Sequence, residues 1–285
     1  MQKLSELKTK IQNHSTNVES FLNLNFHAYE GIQENILSAM RYSLLQKGAK
    51  RFRANLACFT AEALGSQAKE IIPFAAALEC IHAYSLIHDD LPSMDNDDVR
   101  RGEPTNHKVY GEAKALLAGD GLLTEAFSLI ARSYAATPEI GLKLVASLSK
   151  AAGMFGMISG QARDLESNDT PLEKIEELKL MHEQKTGALI LSAIEGAALV
   201  GGASVRQSTD LQVFGRNLGL AFQVKDDLLD YSEDKGMSYT KFMGFVGAES
   251  FLQELTELCL TKLADWDNKA DSLREMAAYN LTREQ

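Results

Sequence analysis

The acidic charge of the chain is densest in two aspartate clusters that lie about half its length apart. The clusters comprise Asp89, Asp90 and Asp95, and then Asp226, Asp227 and Asp230. Each follows an apolar stretch with helical periodicity, so each is predicted near the C-terminal end of a helix, where the macrodipole disfavours negative charge. Mg²⁺ prefers oxygen ligands and keeps coordination positions for water or substrate phosphates. Two facing clusters would therefore make a metal clamp for a diphosphate.

The spacing inside each cluster restricts which carboxylates can act together. Asp226 and Asp230 stand at i and i+4 on one helical face, whereas Asp227 lies about 100° around the helix. Pro92 is predicted to end the first helix near its preceding residue, so Asp95 must return through a turn. One such cluster alone is also typical of a solvated helix end. The occurrence of two clusters favours the metal interpretation.

Basic residues occur where a diphosphate site would need them. Lys50 and Arg53 are predicted to open a helix at i and i+3, next to backbone N–H groups that favour anions. Arg100 and Arg101 directly follow the first cluster, and guanidinium groups bind phosphate oxygens bidentately. Each pair alone is typical of a solvated surface. Their closeness in sequence to an acidic cluster favours the phosphate-binding interpretation.

The helix that precedes the first cluster carries a polar stripe. His82, Ser85 and Asp89 are spaced i, i+3 and i+7, so they share one face. His82 is a candidate phosphate donor, and a satisfied core histidine is the alternative. His88 invites comparison with His-Asp metal phosphohydrolases, but no other histidine stands at a suitable helical spacing.

Length and composition indicate a single domain over residues 1–285. The chain has 45% hydrophobic residues, which suffices for a large core, and no linker rich in Gly, Ser or Pro interrupts it. The formal net charge is −10. Nucleic acid is therefore an unfavourable partner, and an anionic substrate would need local cations.

The polar character of the N-terminal segment, the lack of a long apolar stretch and the pattern of cysteines predict a cytoplasmic protein. Cys58, Cys80 and Cys259 are odd in number and lie in apolar stretches, which suits reduced, buried thiols. The N-terminal segment is polar, and nowhere do 18 apolar residues run together. We therefore expect neither secretion nor a membrane span.

The apolar periodicity is helical almost throughout, and no strand is predicted. One helix is expected to end at Gly48, and others cover residues 52–64, 71–91, 112–136, 139–152, 172–200, 206–230 and 249–266. Thr170 and Pro171 are predicted to start the helix over 172–200 as cap and first residue, with Lys185 and Thr186 in its middle. Several helices are apolar on more than one face, which is typical of a large bundle.

These residues together resemble the trans-isoprenyl diphosphate synthases, and within them the bacterial farnesyl diphosphate synthase type. The resemblance covers about residues 25–285. It rests on two aspartate-rich motifs, at 81–98 with 100–105 and at 222–230, and on the segments 48–53, 118–120, 160–165 and 184–187. The first aspartate-rich motif has the form with two extra residues, Asp89-Asp90-Leu91-Pro92-Ser93-Met94-Asp95.

The resemblance implies an all-α bundle of mostly antiparallel helices around a deep central cavity, a homodimer, and three bound Mg²⁺ ions that Mn²⁺ can replace. It assigns metal binding to Asp89, Asp90, Asp95, Asp226 and Asp230, and it adds Asp227, Arg100 and Lys185 to the catalytic set. It places isopentenyl diphosphate against Lys50, Arg53, His82 and Arg101. It places the allylic diphosphate (dimethylallyl or geranyl) against Arg100, Lys185, Thr186 and Gln223.

The chain departs from the family pattern in two places. Ala49 and Ala54 replace a glycine and a proline of the basic motif, and neither contributes a charge. After Asp230 the family carries a longer loop with a further lysine, so Lys235 is expected to substitute for it in part. A non-catalytic partner subunit remains the alternative to an active enzyme, although such a subunit has no reason to keep mutually repelling carboxylates. A terpene cyclase is disfavoured because it needs no second diphosphate site at Lys50 and Arg53.

Product length is predicted from Tyr84 and Ser85, which precede Asp89 on the same helix. A chain anchored by its diphosphate at the first cluster would extend along this helix, and the Tyr84 ring would block it after about fifteen carbons. Relatives that make twenty-carbon products tend to carry a smaller residue there. We therefore expect farnesyl diphosphate as the main product, with geranylgeranyl diphosphate as the alternative. The competing interpretation is that Tyr84 is only a core aromatic residue, because it lies off the Asp89 stripe.

Overall fold

The computed structural model describes residues 2–27, 31, 33–231 and 237–284. Helices dominate it, which confirms the predicted all-α class. They are α1 (Gln2–His27), α2 (Glu34–Leu44), α3 (Phe52–Ala63), α4 (Ala68–Asp89), α5 (Asn106–Tyr110), α6 (Glu112–Ser133), α7 (Pro138–Ala152), α8 (Met157–Asp169), α9 (Ile175–His182), α10 (Ala188–Val200), α11 (Val205–Leu229), α12 (Tyr239–Lys262) and α13 (Asp271–Thr282). A π-helical turn (Glu183–Gly187) joins α9 to α10, and a 3₁₀ turn (Asn268–Ala270) precedes α13.

Helix α4 is the central element of the larger core. It packs against α6, α3, α10 and α1, and apolar residues occur around its whole circumference. Among the described helices it alone is long and apolar enough to cross a membrane by length and composition, but 67% of its most apolar window is buried inside the protein. Its composition is that of a core helix, and its C-terminal end delivers the first aspartate cluster.

A second, smaller apolar cluster supports the other aspartates. It joins α9, α11 and α12 through buried side chains that include Met181, Val224, Tyr239 and Leu252. Helix α11 begins with a capping box in which Ser204 and Gln207 bind each other's backbone N–H groups. The second aspartate cluster lies at the opposite end of α11, facing the start of α12.

The prediction that no strand occurs is wrong at one place. Val99–Arg100 (β1) pairs antiparallel with Glu103–Pro104 (β2). The two linking residues, Arg101 and Gly102, both have positive φ (54° and 80°), as a tight two-residue hairpin turn requires. Strands of two residues are too short to show an alternating pattern, so they cannot be predicted from residue spacing.

Four of the described helices were not predicted: α1, α5, α8 and α13. Helix α1 buries Leu7, Val18, Leu22 and Phe26 in the core. These positions differ by multiples of about one helical turn, so the signal was present within a segment whose polar composition concealed it. Helix α12 begins at Tyr239, ten residues before the predicted start, and is kinked at Gly244, where φ is 72°.

The predicted helix over 172–200 is wrong in its start and in its continuity. Thr170 caps the C-terminal end of α8, and the next helix begins only at Ile175. The Glu177 carboxylate accepts hydrogen bonds from the backbone N–H groups of Glu173 (3.1 Å) and Lys174 (3.2 Å), and these bonds fix the later start. The π-helical turn then interrupts the helix at Lys185, a type of distortion that is frequent at functional sites.

Candidate active site

A cavity of about 370 Å³ opens between α4, α8 and the π-helical turn. Helix α4 forms one wall with His82, Tyr84, Ser85, Leu86, His88 and Asp89, and the remaining lining side chains are Arg53, Met94, Met157, Ile158, Gln161, Ala162, Leu165, Lys185 and Thr186. Charged groups and an extended apolar surface therefore share one cavity. Such a site suits a ligand with an anionic head and a hydrocarbon tail.

The turn after Pro92, whose shape residue spacing does not determine, brings Asp95 back beside Asp89. The backbone N–H of Asp95 donates to the carbonyl of Asp89 at 2.8 Å, and Asn96 follows in the left-handed region with φ of 54°. Burial raises the pKa of the Asp89 carboxyl to about 6; the negative charges of Asp95 and Asp90 add to this rise, and Lys185 opposes it. Within the described part of the chain, the Asp89 carboxylate makes no hydrogen bond or ion pair.

Asp90 differs from its neighbour, because its carboxylate is buried and already paired. The Nε atom of Arg100 lies 2.6 Å from Oδ1 of Asp90. Arg100 also reaches Asp97, at 3.4 Å. One carboxylate oxygen of Asp90 is therefore held by a guanidinium, and its metal-ligand role stays a prediction. The pair ties the β-hairpin to the end of α4.

Lys185 projects from the π-helical turn and forms an ion pair with Asp164 of α8. Its charge also lowers the pKa values of Asp89 and Asp95, which burial raises. Gly160 permits the close approach of α8, since a Cβ atom there would lie 2.1 Å from the backbone nitrogen of Lys185. The predicted cation is therefore held between Asp164 and the first aspartate cluster.

The three aspartates of the second cluster have separate surroundings. Asp226 contacts Arg283 directly, and burial raises its pKa while Arg283 opposes the rise. Asp227 accepts a hydrogen bond from the backbone N–H of Tyr239 at 2.6 Å, at the start of α12. Burial nevertheless raises the pKa of Asp227 to about 7. Asp230 is exposed at the end of α11.

The positive charges of four arginines affect His82. Burial lowers the pKa of the His82 imidazole well below its usual value, and the charges of Arg53, Arg101, Arg51 and Arg100 lower it further. The ring is therefore neutral and offers one N–H donor. The Nε atom of Arg53 is buried and finds no hydrogen-bond partner among the described residues. This guanidinium is available to an anion.

The prediction that Lys50 and Arg53 share a helical face is wrong. Helix α3 begins at Phe52, and Arg51 caps it in a left-handed conformation, so Lys50 lies in the preceding loop. Burial and then Arg283 lower the pKa of Lys50, while Asp226 opposes the shift. Lys50 and Arg283 also line a second cavity of about 320 Å³, between α1, α3, α11 and α13.

The other predicted site residues have mixed outcomes. Thr186, Tyr84 and Ser85 line the first cavity, and the Tyr84 ring meets His88 edge-on, with ring centroids 5.7 Å apart. Gln223 lies on α11 and is partly buried. Lys235 lies outside the described residues.

Sequence reasoning missed three polar residues of the site. Gln161 lines the first cavity with a buried Nε2 atom that has no partner in the described ranges, and Asp164 holds Lys185. Arg283 reaches Asp226 from just after α13, 57 positions along the chain. Gln161 and Asp164 belong to a segment that carried the family resemblance, whereas nothing near Arg283 in sequence indicated its role.

The carboxylates fit hard divalent cations. Among the described residues no three His, Cys, Asp or Glu side chains converge into a ready-made cage. Mg²⁺ needs none, because it binds through one or two carboxylates and completes its shell with water and phosphate. Asp89 and Asp95 provide neighbouring oxygen donors, and burial raises the pKa values of both carboxyls because it disfavours their charged form.

Comparisons with known proteins identify the family of the chain. The polyprenyl synthetase family pattern matches residues 34–243. The chain is 49% identical over 215 residues to the farnesyl diphosphate synthase of Geobacillus stearothermophilus, which covers 75% of this chain and 71% of that one. It is 41% identical over 260 residues to a chloroplastic geranylgeranyl pyrophosphate synthase of Capsicum annuum, with 86% and 70% covered.

A solved structure shares the same fold. The apo FPP/GFPP synthase of Zymomonas mobilis superposes with a TM-score of 0.92 at 33% identity, covering 97% of this chain and 99% of that chain. The fold and the sequence matches define a prenyltransferase. The chain belongs to the polyprenyl synthetase family, which confirms the family resemblance seen in its motifs.

Proposed function

We propose that this prenyltransferase, acting as one domain over residues 1–285, condenses isopentenyl diphosphate with dimethylallyl and geranyl diphosphates and releases mainly farnesyl diphosphate. The observation that carries this proposal is the first cavity, in which α4 runs from Asp89 to Tyr84. An allylic diphosphate held near Asp89 would direct its hydrocarbon tail along α4 toward the Tyr84 ring. The apolar side chains of Leu86, Met157 and Ile158 line its course.

Asp89, Asp95, Asp226 and Asp230 would hold Mg²⁺. When bound, Mg²⁺ or Mn²⁺ supplies positive charge to the departing pyrophosphate. Lys185 adds a cation beside the same carboxylates, and Thr186 and Gln223 contribute polar contacts on the allylic side. Asp90 orients Arg100 toward the diphosphate rather than binding metal.

The second substrate, isopentenyl diphosphate, would bind to Lys50, Arg53, His82 and Arg101. The unpartnered Nε atom of Arg53 and the neutral ring of His82 support this assignment, because both are available as N–H donors. Ionisation of the allylic C–O bond gives a carbocation, and the apolar walls protect it from water. The double bond of isopentenyl diphosphate attacks it. The released pyrophosphate then accepts the proton that is lost, so no protein base is required.

The homodimer and the cytosolic location also belong to this proposal. Leu116, Leu117, Met154 and Phe155 are exposed apolar side chains, and the neighbouring Ile158 borders the cavity. A second copy covering them would shield the hydrocarbon tail. The three cysteines are buried and unbridged, which suits a reducing compartment. Sedimentation of the purified protein measures its oligomeric state.

The activity test uses purified protein with Mg²⁺, isopentenyl diphosphate and each of dimethylallyl, geranyl and farnesyl diphosphate. We expect turnover with the first two allylic substrates, a fifteen-carbon product, and complete loss of activity in chelator that Mg²⁺ or Mn²⁺ restores. A twenty-carbon main product would support geranylgeranyl synthesis instead. An inactive pure protein that activates a related synthase would support the partner-subunit alternative.

A further inference from the structure

Arg51 has an unusual backbone conformation for its residue type. Its φ is 50° and its ψ is 35°, in the left-handed region that residues with a Cβ atom avoid. It is the N-cap of α3 and stands between Lys50 and the helix that carries Arg53. Such a conformation persists only where the surroundings impose it.

The Arg51 guanidinium provides these surroundings by binding three different elements. Its Nη2 atom donates to the Leu44 carbonyl at the end of α2, at 2.7 Å. Its Nε atom donates to Glu19 of α1, and its Nη1 atom donates to Glu79 of α4, both at 3.1 Å. The side chain is only 2% exposed. All three nitrogen atoms have protein partners, so Arg51 is not available to a phosphate although it lies in the basic run.

Glu79 holds the start of α3 with its other oxygen. Its Oε1 atom accepts a hydrogen bond from the backbone N–H of Ala54 at 3.3 Å. Helix α3 has no acidic residue in its first turn, and Arg51 makes no side-chain cap. The buried carboxylate of another helix therefore compensates the positive end of α3.

Glu79 also stands beside the phosphate-binding cations. It precedes His82 by one helical turn on α4. Burial lowers the pKa values of Arg53 and Arg101, and in both cases the Glu79 carboxylate is the main charge that opposes the shift. Glu79 is thus the internal counter-charge that allows these guanidinium groups to remain close together before an anion binds.

We propose that Arg51 and Glu79 are positioning residues for the isopentenyl diphosphate subsite. Their ion pair fixes the loop carrying Lys50 and the first turn carrying Arg53 against α4, so that both cations meet His82 and Arg101. Neither Arg51 nor Glu79 touches the substrate. The proposal rests on the assignment of isopentenyl diphosphate to Lys50, Arg53, His82 and Arg101.

Two variants test it without changing any charge. Arg51→Lys loses the three-way contact, and Glu79→Asp loses its reach to Ala54. In each we expect KM for isopentenyl diphosphate to rise about tenfold or more, with KM for geranyl diphosphate within about twofold of wild type. The matched control is Glu19→Asp. It shortens the partner of the Arg51 Nε atom, the Glu19 side chain, which is 41% exposed to solvent. It should leave both KM values unchanged.

The other results separate the possible failures. Equal changes in both KM values, no change in either, or loss of folding in both variants would assign the pair a purely structural role and overturn the proposal. Lys50→Ala tests the underlying assignment. If it leaves KM for isopentenyl diphosphate unaltered, the subsite itself is wrongly placed. If Lys50→Ala raises that KM while Arg51→Lys and Glu79→Asp do not, only the positioning role fails.

Discussion

The Nε atom of Arg100 lies 2.6 Å from Oδ1 of Asp90, so the two adjacent aspartates at the end of α4 have different partners. Asp90 holds the β-hairpin that carries Arg100 and Arg101. Asp89 makes no hydrogen bond or ion pair with any described residue and lines the cavity. Neighbours in sequence therefore have separable roles.

The first prediction concerns this separation. Asp90→Asn removes the negative charge from the ion pair with Arg100. It should lower turnover by about 10- to 100-fold, as expected for a lost charge-assisted contact. The Mg²⁺ concentration for half-maximal activity should stay within about twofold of wild type. Asp89→Asn should lower turnover by several orders of magnitude and raise the Mg²⁺ requirement. Titration of activity with Mg²⁺ measures both, and an equal rise in the two variants would show that Asp90 is a ligand after all.

The second prediction concerns the approach of α8 to the π-helical turn. Gly160→Ala places a Cβ atom about 2.1 Å from the backbone nitrogen of Lys185 and must displace the turn. We expect a loss of about 1–3 kcal/mol of unfolding free energy. The kcat/KM for the allylic substrate should fall by about tenfold or more, because Lys185 moves. Gly187→Ala is the matched control, since its Cβ would meet only the His182 carbonyl, at 3.5 Å. Denaturant titration measures the unfolding free energy of both variants, and steady-state kinetics measures their kcat/KM. Equal losses in Gly160→Ala and Gly187→Ala would contradict the prediction.

The third prediction concerns product length. Tyr84 is 6% exposed and lines the cavity. Its ring packs edge-on against His88, whose Nε2 atom lies 3.0 Å from the Leu116 carbonyl of α6. Tyr84→Ala opens space along α4 and should shift the main product from farnesyl toward geranylgeranyl diphosphate. Tyr84→Phe keeps the ring and should retain the wild-type product. Chromatography of dephosphorylated products measures the distribution, and an unchanged profile in Tyr84→Ala would place the block elsewhere.

The fourth prediction concerns the pH dependence of stability in metal-free protein. The folded-state pKa of Asp227 is raised to about 7, above its unfolded value of about 3.9. Ionised Asp227 therefore destabilises the fold above pH 7, and this penalty disappears as the pH falls from 7 toward 4. Asp227→Asn can still accept the Tyr239 N–H and should be more stable than wild type at pH 8. The difference should shrink by pH 5. Thermal melts across this range measure it, and a difference that is independent of pH would exclude Asp227 as its cause.

Local sequence patterns predicted much of the fold. Helical periodicity located α3, α4, α6, α7 and α11 to within a few residues, because apolar spacing at one turn reflects burial of one face. It failed at α1, where polar residues dominate, and at the π-helical turn, where the backbone changes without a change in apolar pattern. It also failed at the β-hairpin, because strands of two residues are too short to show an alternating pattern.

The candidate site likewise has features that the sequence indicates and features that only the structure shows. Residue types and spacing alone indicated that the two clusters, with Asp89, Asp90, Asp95, Asp226 and Asp230, are candidates for metal binding and that basic residues stand nearby in sequence. The physical reason is that clustered carboxylates repel one another and favour cations. The sequence also determined the family. It could not determine which charges are already paired.

Only the tertiary structure decided that Arg283 contacts Asp226 and that Arg100 pairs with Asp90. It also decided that Arg51 donates its hydrogen bonds to Glu19, Glu79 and the Leu44 carbonyl. Each of these contacts joins residues on different helices. Their formation depends on how the helices of the bundle pack. An unpaired buried charge is unfavourable, so it pairs with the group of opposite charge or the hydrogen-bond acceptor that packing brings close to it. Residue spacing along one chain segment contains no information on that choice.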